Sequence, residues 1–208
     1  MKIKILTVGP IETNCYIVVC PQTKEAVIID PGDEGGKIVE AISSLDINVK
    51  YIINTHGHHD HIQANKEVKE ATNAQILIHA SDAQMLTNPL KNLSHYLGLK
   101  TTEPAADRQL QDGDSIEFGN IVFKVLHTPG HTPGCICLYN EAEKICFTGD
   151  TLFNGSVGRT DLPGGNYKTL MNSLREKLVN LPNDVVIYPG HGPKSTIREE
   201  KAINPFLK

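Results

Sequence analysis

The sequence is poor in several features that mark particular protein classes. It has no tryptophan and only 5% aromatic residues, and no apolar run approaches membrane-spanning length. The net charge of −4 gives no electrostatic basis for binding nucleic acid or an anionic membrane. An N-terminus broken by Gly9 and Pro10 is interrupted too early for a signal peptide. We therefore predict a cytoplasmic protein without a nucleic-acid or membrane partner.

The cysteines also lack a recognisable pattern. There are five of them, an odd number, with no CxxC pair, and all lie in apolar, strand-like runs. A thiol site is the functional alternative. We interpret them instead as small buried hydrophobic residues in a reducing cytosol.

The 208 residues suffice for one well-buried α/β domain, and we predict a single domain over residues 1–208. Short β-branched runs and amphipathic segments alternate between turn residues, and we expect short helices over residues 80–100 to cover one edge of a site. The repeated strand, strand, helix order predicts two packed β-sheets with helices outside. The predicted strands cover residues 2–8, 15–19, 26–29, 49–54, 75–78, 115–118, 121–126, 135–139, 144–147 and 185–188, and the predicted helices cover residues 36–45, 62–71, 166–179 and 197–202.

One stretch, THGHHDH at residues 55–61, concentrates potential metal ligands. In an extended chain, side chains two apart share a face, so His56 and His58 can point at one metal ion. Asp60 and His61 fall where the chain turns into a helix and can serve a second ion nearby. Nitrogen and oxygen donors without a thiolate suit zinc, iron or manganese.

Three more polar residues follow predicted strands in glycine-bearing turns: His131, Asp150 and His191. Singly, each has an ordinary explanation as a turn cap or a loop histidine. Ligands in α/β proteins collect beyond the carboxyl ends of strands, which favours a shared site. Together with the first motif they supply five histidines and two aspartates, enough for two closely spaced metal ions.

The order HxHxDH, then His, Asp and His, resembles the metallo-β-lactamase superfamily over essentially the whole chain. The resemblance implies an α/β protein with a four-layer αβ/βα sandwich and a metal site at one edge of the paired sheets. It implies two divalent ions, zinc first and iron or manganese as alternatives. By position, the first ion would be held by His56, His58 and His131, the second by Asp60, His61 and His191, and Asp150 would bridge both.

The resemblance also implies roles around the ligands. Asp60 would orient the nucleophile and manage its proton as a catalytic residue. Asp30, in IIDPGD, would support the site from behind the ligands. His59 and His127 match no ligand position, and we expect His59 to be exposed. His79 and His95 are expected to be surface or packing residues.

The stretch GDTLFNGSVGRTDLPGG, residues 149–165, with YPGHGPKSTI, resembles the short glyoxalase-II-like branch. The implied activity is hydrolysis of thioesters such as S-lactoylglutathione by a metal-bound hydroxide. Arg159 occupies the position that binds the glutathione moiety, with an ion pair to Asp161 as its alternative role. A tyrosine expected at Asp161 is missing, and the 17 residues after His191 contain no C-terminal helical domain. The thiol carrier and the oligomeric state are therefore left open.

Other activities share parts of this pattern. A persulfide dioxygenase also carries GRTD, and His56, His131 and Asp150 would then hold a single iron. A lactonase, a β-lactamase and a regulatory module that keeps its metals without hydrolysis are further alternatives. We favour a hydrolase because LPGG differs from the dioxygenase sequence and because Asp60, useful mainly for handling a nucleophile, is intact.

Overall fold

A computed structural model describes residues 1–208 as two six-stranded sheets, sheet A and sheet B, with helices on their outer faces. Sheet A comprises β1 (Lys2–Val8), β2 (Thr13–Val19), β3 (Glu25–Ile29), β4 (Asn48–Ile53), β5 (Gln75–His79) and β6 (Arg108–Leu110). Sheet B comprises β7 (Ser115–Phe118), β8 (Ile121–His127), β9 (Ile136–Asn140), β10 (Ile145–Gly149), β13 (Val186–Pro189) and β14 (Ser195–Thr196). A small hairpin consists of β11 (Leu152–Phe153) and β12 (Ser156–Val157).

The helices are short and surround the sheets. They are α1 (Gly35–Ser43), α2 (His59–Ile62), α3 (Asn65–Thr72), α4 (Tyr167–Ser173) and α5 (Ile197–Ile203). A π-helical turn, Leu174–Leu178, continues α4, and 3₁₀ turns cover Ala83–Met85, Ser94–Leu97 and Pro205–Leu207. None of these helices is long and apolar enough to cross a membrane.

The type of strand pairing changes once across sheet A. Strands β1, β2 and β3 pair antiparallel, whereas β3 to β6 pair in parallel. In sheet B, β10 and β13 form the parallel pair and the other neighbours are antiparallel. The carboxyl ends of the parallel strands β4, β10 and β13 are therefore available to carry site residues at one edge.

The alternation of side chains along each strand produces the layers. In β2, Cys15 and Ile17 pack into the cluster that contains Ile38 of α1 and Val68 of α3. Tyr16 of the same strand faces the cluster shared by both sheets. A third cluster joins sheet B to the apolar face of α4 and its π-helical continuation. The order helix, sheet, sheet, helix confirms the predicted four-layer sandwich.

The few aromatic residues are concentrated between the sheets. The Tyr16 and Phe147 ring centroids are 5.0 Å apart, and those of Phe123 and Phe147 are 5.6 Å apart. The Tyr16 hydroxyl donates to the Pro189 carbonyl, which ties this core to the end of β13. All five cysteines are free and buried, as predicted.

Several elements differ from the predictions, and the two-residue strands β11, β12 and β14 are among those not predicted. The single helix predicted over residues 62–71 is wrong, because α2 ends at Ile62 and α3 begins separately at Asn65. Because of this break, Asp60 and His61 lie in a helix separate from α3. Strand β6 was not predicted, because three residues at a sheet edge are too few to show a periodic pattern.

Candidate metal centre

The structure brings all seven predicted ligands together at one edge of the paired sheets. Most of them lie just after a strand. Each of these apolar strands ends in a turn, and the polar side chains of the turn lie at this edge. His56 and His58 follow β4, Asp60 and His61 lie in α2, His131 lies between β8 and β9, Asp150 follows β10, and His191 follows β13.

The first donor set comprises His56, His58 and His131. Their ligand atoms lie within 4.8 Å of one another, and all three side chains are buried. His56 Nε2 is 3.1 Å from His58 Nδ1. A tetrahedral zinc ion with bonds near 2.1 Å places its donor atoms about 3.4 Å apart, so these nitrogens have a suitable separation.

The second donor set comprises Asp60, His61 and His191. The Nε2 atoms of the two histidines are 3.2 Å apart. Asp60 Oδ2 lies 3.3 Å from each of those nitrogens. These separations also match the edges of a metal coordination polyhedron.

Asp150 lies between the two donor sets. Its Oδ1 is 3.5 Å from His61 Nε2, and its Oδ2 is 3.5 Å from His131 Nε2. Oδ2 is also 3.7 Å from His191 Nε2, so this carboxylate lies close to donors of both sets, where a bridging ligand is expected. The cluster is suitable for a dinuclear metal site.

Two buried atoms without hydrogen-bond partners indicate whether the donor residues fit metal ions. His131 Nε2 and Asp150 Oδ1 are buried and have no hydrogen-bond partner. His131 Nδ1 donates to the Arg159 carbonyl at 2.7 Å, which fixes the tautomer and leaves Nε2 as a lone-pair donor. Buried polar atoms are rarely left unpaired, so these two fit coordination to cations. His58 Nε2 and His59 Nδ1 also lack partners.

The protonation states agree with that fit. Burial lowers the pKa of His58 to about 3, which keeps its imidazole in the neutral form that binds metals. Burial opposes charge on His61 as well, but Asp60, Asp150 and Asp30 together raise the pKa of His61 well above its usual value. Burial also disfavours the Asp60 anion, yet His61 and His191 lower the pKa of that carboxyl overall. The carboxylates around His61 therefore favour a positive charge at this position.

Residues behind the ligands orient the imidazoles. Asp30 Oδ2 lies 3.0 Å from His61 Nδ1, and the same carboxylate accepts hydrogen bonds from the amide and the hydroxyl of Thr55. This contact confirms the supporting position predicted for Asp30. His191 Nδ1 donates to the Ile11 carbonyl at 3.0 Å. Such contacts hold each ring with its second nitrogen toward the cluster.

Two glycines are required by close packing around Asp150. A Cβ on Gly190 would lie 2.2 Å from Asp150 Oδ1. A Cβ on Gly149, whose φ is +46°, would lie 2.4 Å from the Thr55 hydroxyl. The glycine turns therefore allow two strand ends to approach the bridging carboxylate.

Sequence reasoning missed Asp82, which joins the two loops of the first donor set. The Asp82 carboxylate is fully buried and accepts hydrogen bonds from the Gly57 amide at 3.1 Å, the Thr132 hydroxyl at 2.6 Å and the Gly134 amide at 2.7 Å. Gly57 separates His56 from His58, and Thr132 follows His131. An aspartate in an irregular polar segment gives no signal of such a role.

The other histidines have structural positions. The expectation that His59 is exposed is wrong, because the segment over residues 88–101 folds across α2 and leaves this side chain partly buried at the cavity. The His59 amide donates to the Asn92 carbonyl at 3.0 Å. His79 is buried and stacks on His127, with ring centroids 3.9 Å apart, as a packing residue. His95 is exposed.

Arg159 lies at the rim of the site. Its Nε and one terminal nitrogen donate to the two oxygens of Asp161 at 2.8 and 2.7 Å, and both side chains are exposed. The ion pair considered from the sequence is thus formed, while the guanidinium also lines the cavity over the metal cluster.

That cavity has a volume of about 650 Å³ and exposes five of the seven predicted ligands. Its size falls in the range of small-molecule sites. The expected cover is present, because the segment over residues 88–101 supplies part of the wall. The apolar residues that line it are Ile11, Leu93, Tyr96, Leu97, Leu162 and Pro163.

Comparison with known proteins agrees with this architecture. A family model described as the metallo-beta-lactamase superfamily matches residues 8–191. The hydroxyacylglutathione hydrolase GloC of Haemophilus influenzae is 39% identical over 100% of this chain and 98% of its own length. The crystal structure of the BLEG-1 B3 metallo-beta-lactamase superimposes with a TM-score of 0.94 and 36% identity, covering 99% of both chains. The structure of TTHA1623 in a di-iron-bound form has a TM-score of 0.88 and 37% identity, covering 98% of this chain and 100% of that one.

Proposed function

The chain belongs to the metallo-β-lactamase superfamily, and from this premise we propose that it is a dinuclear metallo-hydrolase of thioesters, similar to hydroxyacylglutathione hydrolases. The observation that carries the dinuclear proposal is the position of Asp150, whose carboxylate lies within 3.7 Å of histidines in both donor sets. The thioester proposal is supported by the 39% identity to GloC along the full chain.

When bound, two divalent cations lower the pKa of water and polarise an acyl carbonyl oxygen. The chain supplies the remaining functions. Asp60, a carboxylate kept ionised by neighbouring histidines, lines the cavity. Its Oδ1, the oxygen not assigned to the second donor set, can accept a proton from the attacking water and return it to the thiolate leaving group. The apolar walls limit the access of bulk water to the reacting carbonyl.

We propose zinc as the resident metal, because imidazole and carboxylate donors at these separations suit it. Iron suits the same donors, and the TTHA1623 structure holds two iron ions. The supply of metal therefore decides which ion is bound, while the donor geometry decides how many ions are bound per chain.

Arg159 is proposed to bind the thiol carrier. Asp161 engages two of its nitrogens, and the remaining N–H groups stay free to grip a carboxylate or a peptide carbonyl of a glutathione-like thiol. Arg159→Ala should then raise KM for S-lactoylglutathione while the metal content stays constant. An equal loss on a thioester without a carboxylate would assign Arg159 to the loop alone.

The proposal is tested by measuring metal content together with turnover of three substrates. Purified protein should hold up to two ions per chain and hydrolyse S-lactoylglutathione. It should neither consume oxygen with glutathione persulfide nor open a chromogenic β-lactam at a comparable rate. Oxygen uptake at one iron per chain would instead establish the dioxygenase alternative.

Asp150→Asn should lower metal retention and reduce kcat/KM by roughly 100-fold or more, because the bridging carboxylate is lost. Asp46→Asn is the matched control, since Asp46 is exposed and remote from the site. Two ions retained with full activity in the Asp150 variant would contradict the bridging role.

A further inference from the structure

The cavity above the seven metal-donor residues has an apolar wall to which the proposed hydrolysis assigns no role. Leu93, Tyr96 and Leu97 line it from the segment that folds across α2. Tyr96 is 67% exposed and Leu97 is 62% exposed. Large apolar side chains grouped at a concave site commonly mark a ligand-binding surface.

Hydrogen bonds of buried side chains hold the segment that carries this wall. Asn92 is fully buried, and its side-chain amide donates to the Met85 and Thr101 carbonyls at 3.0 and 2.9 Å. Ser94 is also fully buried, and its hydroxyl accepts a hydrogen bond from the Thr101 amide at 3.1 Å. Two buried polar side chains thus anchor the exposed apolar ones, which is unlike a loose surface loop.

The backbone at the centre of the wall is strained. Leu93 has a φ of 70° in the left-handed region, which is unfavourable for any residue with a Cβ. Such conformations persist only where the surroundings impose them, and they cluster at ligand sites. Here the buried neighbours Asn92 and Ser94 impose it, and Leu93 faces the cavity as a result.

The charges around the cavity argue against a strongly anionic occupant of this wall. Arg159 is the single cationic side chain that lines the cavity, and Asp161 already pairs with two of its nitrogens. The carboxylates that line the cavity, Asp60 and Asp150, belong to the metal cluster. The surface outside the cluster is therefore apolar apart from His59 and one paired cation, Arg159.

From these observations we infer that the Asn92–Leu97 segment is the acyl-binding wall and that the enzyme prefers thioesters of apolar acyl groups over small hydroxylated ones. This inference rests on the proposed thioester hydrolysis. Arg159, proposed for the thiol carrier, lies on the loop after β12, so the separate segment with Leu93, Tyr96 and Leu97 is available to the acyl group.

The test is a chain-length series on one uncharged thiol. Acetyl, lactoyl, butyryl, hexanoyl and octanoyl thioesters of N-acetylcysteamine keep the leaving group constant. For the metal-loaded wild-type protein, kcat/KM should rise about twofold per methylene, because a one-sided wall removes about half of each methylene from water. Leu97→Ser should flatten this rise.

Leu90→Ser is the matched control, because Leu90 is 54% exposed on the same stretch of chain but does not line the cavity. It should preserve the wild-type series. A wild-type kcat/KM that is independent of chain length, a preference for lactoyl over octanoyl, or equal effects of both substitutions would overturn the inference.

Binding separates this inference from the proposed function. Ketone analogues with a methylene between the carbonyl and the sulfur cannot be hydrolysed, and their affinity is measured by calorimetry. If no thioester is turned over but affinity rises with chain length in the wild type and not in Leu97→Ser, the proposed function is overturned and the apolar wall stands. Turnover without any chain-length effect on affinity overturns the wall and leaves thioester hydrolysis standing.

Discussion

Replacement of Asp82 tests whether one buried carboxylate aligns the first donor set. Its three hydrogen bonds reach the loop of His56 and His58 and the loop of His131. Burial raises the pKa of this carboxyl, and the three donors partly oppose that rise. Asp82→Ala removes the acceptor that the two loops share.

The magnitude follows from the donors that lose their partner. The Gly57 and Gly134 amides are left without an acceptor, at about 1–3 kcal/mol each. The Thr132 hydroxyl lies 3.1 Å from Cys135 Sγ and keeps an alternative partner. Relief from burying the carboxylate offsets part of the cost, so we expect a loss of about 2–4 kcal/mol. In a chain of this length the melting temperature should fall by about 4–16 °C.

Metal affinity is the decisive measurement, because a merely structural residue would not change it selectively. Zinc affinity should fall about 10- to 100-fold, the range for residues that orient metal ligands. It is measured by competition with a chromophoric chelator, and melting is followed by circular dichroism with and without metal. Asp82→Asn should be intermediate, since it keeps one acceptor oxygen.

Glu117→Gln is the control for loss of a carboxylate, because Glu117 is exposed on β7. Unchanged zinc affinity in Asp82→Ala, at any melting temperature, would refute the aligning role. Unchanged stability as well would show that the three hydrogen bonds contribute nothing measurable.

Two further predictions concern Glu103, whose carboxylate accepts a hydrogen bond from the Lys66 amide, and Leu93 of the cavity wall. Burial raises the pKa of Glu103 to about 7, so its contribution to stability is complete below about pH 4.5 and is lost as the pH rises through 7. In urea unfolding, Glu103→Gln should therefore gain about 1–3 kcal/mol relative to wild type between pH 5.5 and 8, and parallel pH curves would contradict this. At Leu93, glycine relieves the left-handed strain while alanine keeps it. Leu93→Gly should thus be more stable than Leu93→Ala by roughly 1 kcal/mol, and the reverse order would show that the strain is absent.

The sequence determined the strands and the identity of the metal donors. Alternating apolar residues between glycine and proline turns predicted most of both sheets, because a strand with period-two burial shows its pattern locally. The donors were equally readable, since His56, His58, Asp60 and His61 lie within one short stretch and the others follow strand ends. Asp30 was placed correctly behind the ligands.

Only the tertiary structure decided what lies around that cluster. The hydrogen bonds of Asp82, the partial burial of His59 and the wall anchored by Asn92 depend on contacts between segments far apart in the chain. The pairing of Arg159 with Asp161 was one of two alternatives until the loop geometry was known. Irregular segments carry no periodic signal, because their side chains are positioned by distant partners and not by the repeat of a helix or strand. The donor set could therefore be predicted from the sequence, whereas the shape and polarity of the substrate cavity could not.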